Sequence, residues 1–239
     1  MIKKIYILTI VIILFIVNQI NAKVLVTSVG RFYLYTYNVA IVGNSHASFM
    51  SNYIDVDNDL NSNIVGNHSV GGDDLDSYGN SVPAYTDWDH GKELIANEGE
   101  LKGWIDRVKG EAIFYDYMIC WFGSNSTGGS ANGFKNKYIK WITDVRKENK
   151  NCKIIIMAIP YFNNTDKDVN PTNADSVVDN FNLKIKEMLD ELKDPNIFYE
   201  EILENIEYTD NVHFNKNSYI RIWNDLKEKY NIEVKKLID

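Results

Sequence analysis

The chain has 239 residues, 45% of them hydrophobic, which suffices for one well-buried domain. Its formal net charge of −8 lacks the cationic excess that phosphate-backbone binding needs, so nucleic acid is excluded as an expected partner. Two cysteines are too few for a disulfide scaffold; Cys120 and Cys152 sit in strand-like runs without metal or C-x-x-C spacing and read as buried small hydrophobes.

Residues 1–22 open with Lys3 and Lys4, continue through thirteen almost wholly apolar residues, Ile5 to Val17, and end in a short polar stretch. That is the layout of a secretory signal peptide, with an uncleaved amino-terminal anchor as the alternative. Either places the remainder outside the cytoplasmic membrane, because the lysines stay on its inner side. Removing this segment takes the net charge from −8 to −10 and leaves 23–239 as one expected domain. Residues 24–38 are strand-like without an evident partner.

Val39-Ala40-Ile41-Val42-Gly43 is a continuous apolar run ending in glycine, as expected of a strand buried on both faces of a parallel sheet. Residues 117–122 and 153–159 repeat the pattern, and 63–67 and 196–199 are weaker strand candidates. Helical periodicity links Leu101, Trp104, Ile105 and Val108; then Phe134, Tyr138, Trp141, Ile142 and Val145. It returns in Val177, Val178, Phe181, Ile185, Met188, Leu189 and Leu192, and lastly in Tyr219, Ile222, Trp223, Leu226 and Tyr230. Strands alternating with crossover helices predict an α/β fold with a central parallel sheet covered on both faces. Residues 73–98, rich in Asp, Gly, Asn and Tyr, form a long surface excursion in this reading.

In such sheets ligands gather beyond the carboxyl ends of the strands. Four segments there carry chemistry. Ser45, in Gly43-Asn44-Ser45-His46, stands at a strand-to-helix turn where backbone N–H groups lack helical acceptors, a setting suited to a nucleophile or simply to a helix cap. Gly71-Gly72 follow the second strand, where glycine lets backbone N–H groups approach a ligand or merely makes a turn. Gly123-Ser124-Asn125-Ser126 follow the third, and the Asn125 amide could donate to a developing negative oxygen. Asp210-Asn211-Val212-His213 precede the last helix; a carboxylate three residues before an imidazole can hold one ring nitrogen and leave the other free to take a proton.

In this order the four segments resemble the SGNH hydrolases, the GDSL-like esterases and acylhydrolases, from about Val39 to Tyr230. The resemblance implies a flavodoxin-like three-layer α/β/α sandwich and a carboxylic ester hydrolase without metal or cofactor. It implies Ser45 as nucleophile, His213 as general base and Asp210 as its orienting carboxylate. The oxyanion donors it implies are the N–H of Ser45, the N–H of Gly72 (Gly71 in the alternative register) and the Asn125 side chain. Two departures stand out: Asn44 where the family has Asp, and Ser126 after Asn125 where Asp is common. Both are expected to alter local hydrogen bonding more than the reaction.

Rival sites are weaker. Residues 55–61 begin like a calcium loop, but Leu60 stands where glycine is needed and Gly66 where a bidentate Glu belongs, so a solvated acidic loop is expected. His46, His68 and His90 with Asp73 and Asp74 show no metal-ligand spacing; His46 is expected to line or support the esterase site. Tyr78, Tyr85 and Trp88 could stack on sugar rings or pack their own loop.

The expected substrate is a small acyl ester, acetyl above all, on a small molecule or polysaccharide. No second long apolar segment or basic amphipathic stripe points to a membrane after signal cleavage. A lipase or lysophospholipase, or an inactive glycan-binding module on the same scaffold, are the alternatives.

Overall fold

The computed structural model describes residues 23–26, 32–35, 38–57, 66–69, 115–163 and 174–234. The signal segment 1–22, the excursion 73–98 and the expected helix around 101–108 lie outside the described residues. Seven strands are present among the described residues: β1 Lys23–Val26, β2 Phe32–Tyr35, β3 Val39–Gly43, β4 Gly66–Ser69, β5 Tyr117–Trp121, β6 Lys153–Met157 and β7 Ile197–Glu200. The helices are α1 Ser45–Asp57, α2 Ala131–Glu148, α3 Asp175–Leu192 and α4 Lys216–Tyr230.

Strands β3 to β7 form one parallel sheet in the order β4-β3-β5-β6-β7. Strand β3 therefore has its chain successor on one side and β5 on the other, so the order reverses at β3. This is the flavodoxin-like arrangement, and the reversal opens a crevice at the carboxyl end of β3. The strand-like stretch 24–38 resolves into β1 and β2, a separate antiparallel pair in which Lys23 lies opposite Tyr35.

The strands sort their side chains by parity. Ala40, Val42, Met118, Cys120, Ile154 and Ile156 join the core that holds Phe134, Tyr138, Trp141 and Val145 of α2 with Val178, Phe181, Ile185 and Met188 of α3. Val39, Ile41, Ile119, Trp121, Ile155 and Met157 join the other core, with Ala47, Met50 and Ile54 of α1 and Tyr219, Ile222, Trp223 and Leu226 of α4. The sheet is thus covered on both faces, and the domain is a three-layer α/β/α sandwich. Each fully buried large apolar side chain stabilises it by ~1.5–3 kcal/mol. Cys120 and Cys152 are both buried free thiols, and burial foremost pushes the Cys120 thiol well above its ordinary value.

Several boundaries differ from the sequence expectation for local reasons. β6 stops at Met157 rather than 159, because the Ile159 N–H and carbonyl bond to the Asn182 side chain of α3 at 2.8 and 2.9 Å. β4 runs over Gly66–Ser69 instead of 63–67, with Ser69 in register with Gly43. β5 ends one residue before 122, and β7 begins one residue after 196. Residues 55–57 of the expected acidic loop close helix α1 instead. The helix is encoded by the spacing of Ala47, Met50 and Ile54, all buried.

Candidate active site

Gly43 ends β3 with φ +153°, and an added Cβ would overlap the Trp121 carbonyl oxygen and approach the Ala47 Cβ to 3.1 Å. Only glycine lets β3 turn into α1 so close to β5. Asn44 then caps the helix. Its Oδ1 accepts the His46 N–H at 3.1 Å and its carbonyl accepts the Ser48 N–H at 3.1 Å, while its own N–H donates to the Trp121 carbonyl at 3.1 Å. The amide, where the resemblance has a carboxylate, keeps the cap bond. Its Nδ2, fully buried, has no hydrogen-bond partner among the described residues. Ser45 follows as the first helical residue, partly exposed, with its N–H in the turn that supplies no helical acceptor.

The imidazole comes from the segment between β7 and α4. A bridge between Tyr208 and Phe214 closes that loop, and the Thr209 N–H donates to the His213 carbonyl at 2.8 Å. Inside it, Oδ1 of Asp210 accepts the N–H groups of Val212 and His213 at 2.7 and 2.6 Å. Its Oδ2 lies 2.9 Å from Nδ1 of His213. Asn215 fastens the loop to α4: its side chain caps the helix by accepting the Ser218 N–H at 2.9 Å, and its N–H donates to the Glu207 carbonyl at 2.9 Å.

Across the crevice, Nε2 of His213 lies 2.9 Å from Oγ of Ser45. An ionised carboxylate only accepts, so the ring proton sits on Nδ1 and the Nε2 lone pair faces the serine hydroxyl. Burial works to raise the Asp210 carboxyl, but hydrogen bonds from the His213 backbone, the His213 ring and the Val212 backbone outweigh it and hold the group below its ordinary value. The three residues form one chain from acid to imidazole to alcohol at the carboxyl end of β3.

Asn125 lies beyond the carboxyl end of the adjacent strand, exposed, on a turn closed by the Ser126 N–H donating to the Gly123 carbonyl at 2.9 Å. Gly123 enters this turn at φ +113°, packed against Ile159. Ser124 and Ser126 point inward from either side, at 6% and 2% exposure, so an Asp at 126 would bury a carboxylate. Gly71 and Gly72, expected to donate from the loop after β4, lie outside the described residues, as do Tyr78, Tyr85, Trp88, His90, Asp73 and Asp74.

His46 is wholly buried rather than open to a ligand. Its ring stacks on Trp121 at 4.9 Å, stands 5.5 Å from the His213 ring, and places Nδ1 2.9 Å from the Tyr219 hydroxyl. Burial first, then the neighbouring His213, lower its pKa to about 3, with Asp210 pulling weakly the other way. Phe49 covers His213 at 4.7 Å. Sequence reasoning had Tyr219 only as part of an apolar helical stripe and passed over Phe49; a hydroxyl-tipped ring six residues after His213 was the available signal.

Among the described residues, no group of three or more His, Cys, Asp or Glu could hold a metal ion, and no helix is long and apolar enough to cross a membrane.

No protein-family model matches the sequence, and no curated protein matches it. Solved structures do. A carbohydrate acetylesterase from Sinorhizobium meliloti aligns with 12% identity and a TM-score of 0.53, covering 81% of this chain and 97% of its own. A GDSL-like lipase from Bacteroides thetaiotaomicron aligns with 11% identity and a TM-score of 0.53, covering 81% and 87%. A carbohydrate esterase of family 3 from Talaromyces cellulolyticus aligns with 14% identity and a TM-score of 0.50, covering 81% and 95%. With its strand order, its two helical layers and these structural relatives, the chain has the SGNH-hydrolase fold.

Proposed function

We propose that this protein is a secreted serine esterase that removes small acyl groups, acetyl above all, from carbohydrate. The observation that carries the reading is the continuous Ser45–His213–Asp210 hydrogen-bond chain, at 2.9 Å on each side of the imidazole. In this mechanism Nε2 of His213 takes the Ser45 proton as Oγ attacks the ester carbonyl, and Asp210 stabilises the imidazolium. The negative tetrahedral oxygen is received by the Ser45 N–H, the Asn125 amide and the Gly72 N–H. Collapse expels the alcohol, which takes the proton from His213. Water, deprotonated by the same imidazole, then releases the acid and restores Ser45.

The carbohydrate assignment draws support from relatives named as carbohydrate esterases, one of them from Clostridium thermocellum in complex with cellohexaose. It draws further support from Tyr161, 48% exposed on the segment after β6. That segment is tied to the His213 loop by the Asn163 N–H donating to the Asn211 carbonyl at 2.8 Å and the Tyr208 hydroxyl donating to the Tyr161 carbonyl. A fixed, exposed aromatic face suits a sugar ring. Signal-directed secretion of residues 23–239 as a single domain completes the proposal.

Release of acetate from acetylated xylo-oligosaccharides by the purified protein tests it. Turnover is expected, with kcat reduced by ~10²- to 10³-fold in Asn125→Ala and by a further large factor, on the order of 10⁶ in total, in Ser45→Ala. Equal activity in wild type and Ser45→Ala would refute the mechanism.

A further inference from the structure

The residue after the candidate nucleophile and the residue after the candidate base meet at one side chain. The Tyr219 hydroxyl lies 2.9 Å from Nδ1 of His46, which follows Ser45. The ring of Phe214, which follows His213, packs against the same tyrosine with ring centroids 5.4 Å apart. Both His46 and Tyr219 are wholly buried. Tyr219 is further enclosed by Phe49 at 6.2 Å, Tyr53 at 5.8 Å and Trp121 at 6.0 Å between ring centroids.

We infer that Tyr219 and His46 are a positioning pair whose hydrogen bond fixes the Ser45–His213 separation from beneath. This rests on the serine esterase reading. Ser45 opens α1, whereas His213 belongs to the loop that leads into α4, so the 2.9 Å proton-transfer contact spans two elements. Apolar residues such as Met50 of α1 and Ile222 of α4 share the same core and hold the helices together. Apolar packing sets a distance between helices but resists sliding only weakly; a hydrogen bond is directional and resists both. The pair supplies that bond directly below the reacting atoms.

Chemistry favours these two residue types. Burial, above all, pushes the Tyr219 phenol well above its ordinary value, so it stays neutral and paired with Nδ1 of His46 at 2.9 Å. His46, wholly buried and with its pKa lowered to about 3, is uncharged as well. When His213 becomes imidazolium, a ring 5.5 Å away that held a positive charge would oppose it, and a neutral one does not. His46 therefore anchors the backbone after the nucleophile without disturbing the charge that develops on the base.

Tyr219→Phe keeps the ring and removes the hydroxyl. Since a displacement of ~1 Å costs about 100-fold in rate, kcat for p-nitrophenyl acetate is expected to fall by about 10- to 100-fold with KM nearly unchanged. His46→Gln, whose side-chain oxygen can accept from the same hydroxyl, is expected to retain more kcat than His46→Leu. Wild-type kcat in Tyr219→Phe, or equal kcat in the Gln and Leu variants, would overturn the pair. A crystal structure of Tyr219→Phe, or of His46→Leu if that variant alone folds, separates this inference from the esterase reading. The Ser45 Oγ to His213 Nε2 distance is expected to open beyond hydrogen-bonding range whether or not the wild type turns over ester. An unchanged distance would overturn the positioning role alone, and absence of turnover in the wild type would overturn the esterase reading alone.

Discussion

The imidazole of His213 has a carboxylate on one flank and a neutral buried ring on another, and acid destabilises the fold through both. Asp210 is held below its ordinary value, so what it contributes to stability is present above pH 3.8 and is lost as pH falls further. His46 is the larger effect. The unfolded chain protonates this histidine near 6.5, while the folded chain resists until about 3. Across that window the unfolded state binds more protons, so stability falls as pH drops. The full shift corresponds to roughly 5 kcal/mol. Denaturant unfolding between pH 7 and pH 4 is expected to show most of this loss. In His46→Phe, which cannot protonate, the slope should flatten over the same range. An identical slope in both proteins would mean that other groups dominate.

Among the elements, the β3–α1 junction is the most constrained. Gly43 has no room for a methyl group against the Trp121 carbonyl, and Asn44 supplies the cap that fixes the first turn and with it Ser45. Two substitutions separate these roles. Gly43→Ala forces β3 away from β5 and should cost about 3 kcal/mol or more, seen as loss of soluble folded protein or a large fall in Tm. Asn44→Ala loses one capping bond, about 1 kcal/mol, and leaves the fold intact while loosening the Ser45 N–H and Oγ. Its signature is a modest Tm change with a clear fall in kcat. If Gly43→Ala were as stable as the wild type, the close approach of β3 and β5 would not be the reason for glycine.

Across the whole molecule, much of the sheet and its helical covering was legible because the central strands are continuous apolar runs and helices α2, α3 and α4 repeat their apolar residues at the helical period. The limits of the strands were less legible. β6 ends where the Asn182 side chain takes over the backbone of Ile159, a tertiary interaction with no local signature. β4 carries almost no apolar residue in Gly-Asn-His-Ser, so periodicity could not locate it. Ser45, His213 and Asp210 stood out in sequence through the order of the four segments, which resembles the SGNH hydrolases, since each residue taken singly also fits a cap or a turn. Their meeting depends on α1 packing against α4 and on Asp210 folding its loop around two backbone N–H groups. The burial of His46 beside His213 was hidden because nothing local marks it: Trp121, Phe214 and Tyr219, which enclose the ring, are distant in sequence.

If Ser45 is an alcohol activated by His213, a fluorophosphonate will mark it. Intact-protein mass spectrometry after such treatment is expected to show a single covalent adduct on Ser45, absent from Ser45→Ala and formed far more slowly in a folded His213→Ala variant. Labelling at another residue, or a Ser45 adduct formed equally fast without the imidazole, would contradict it.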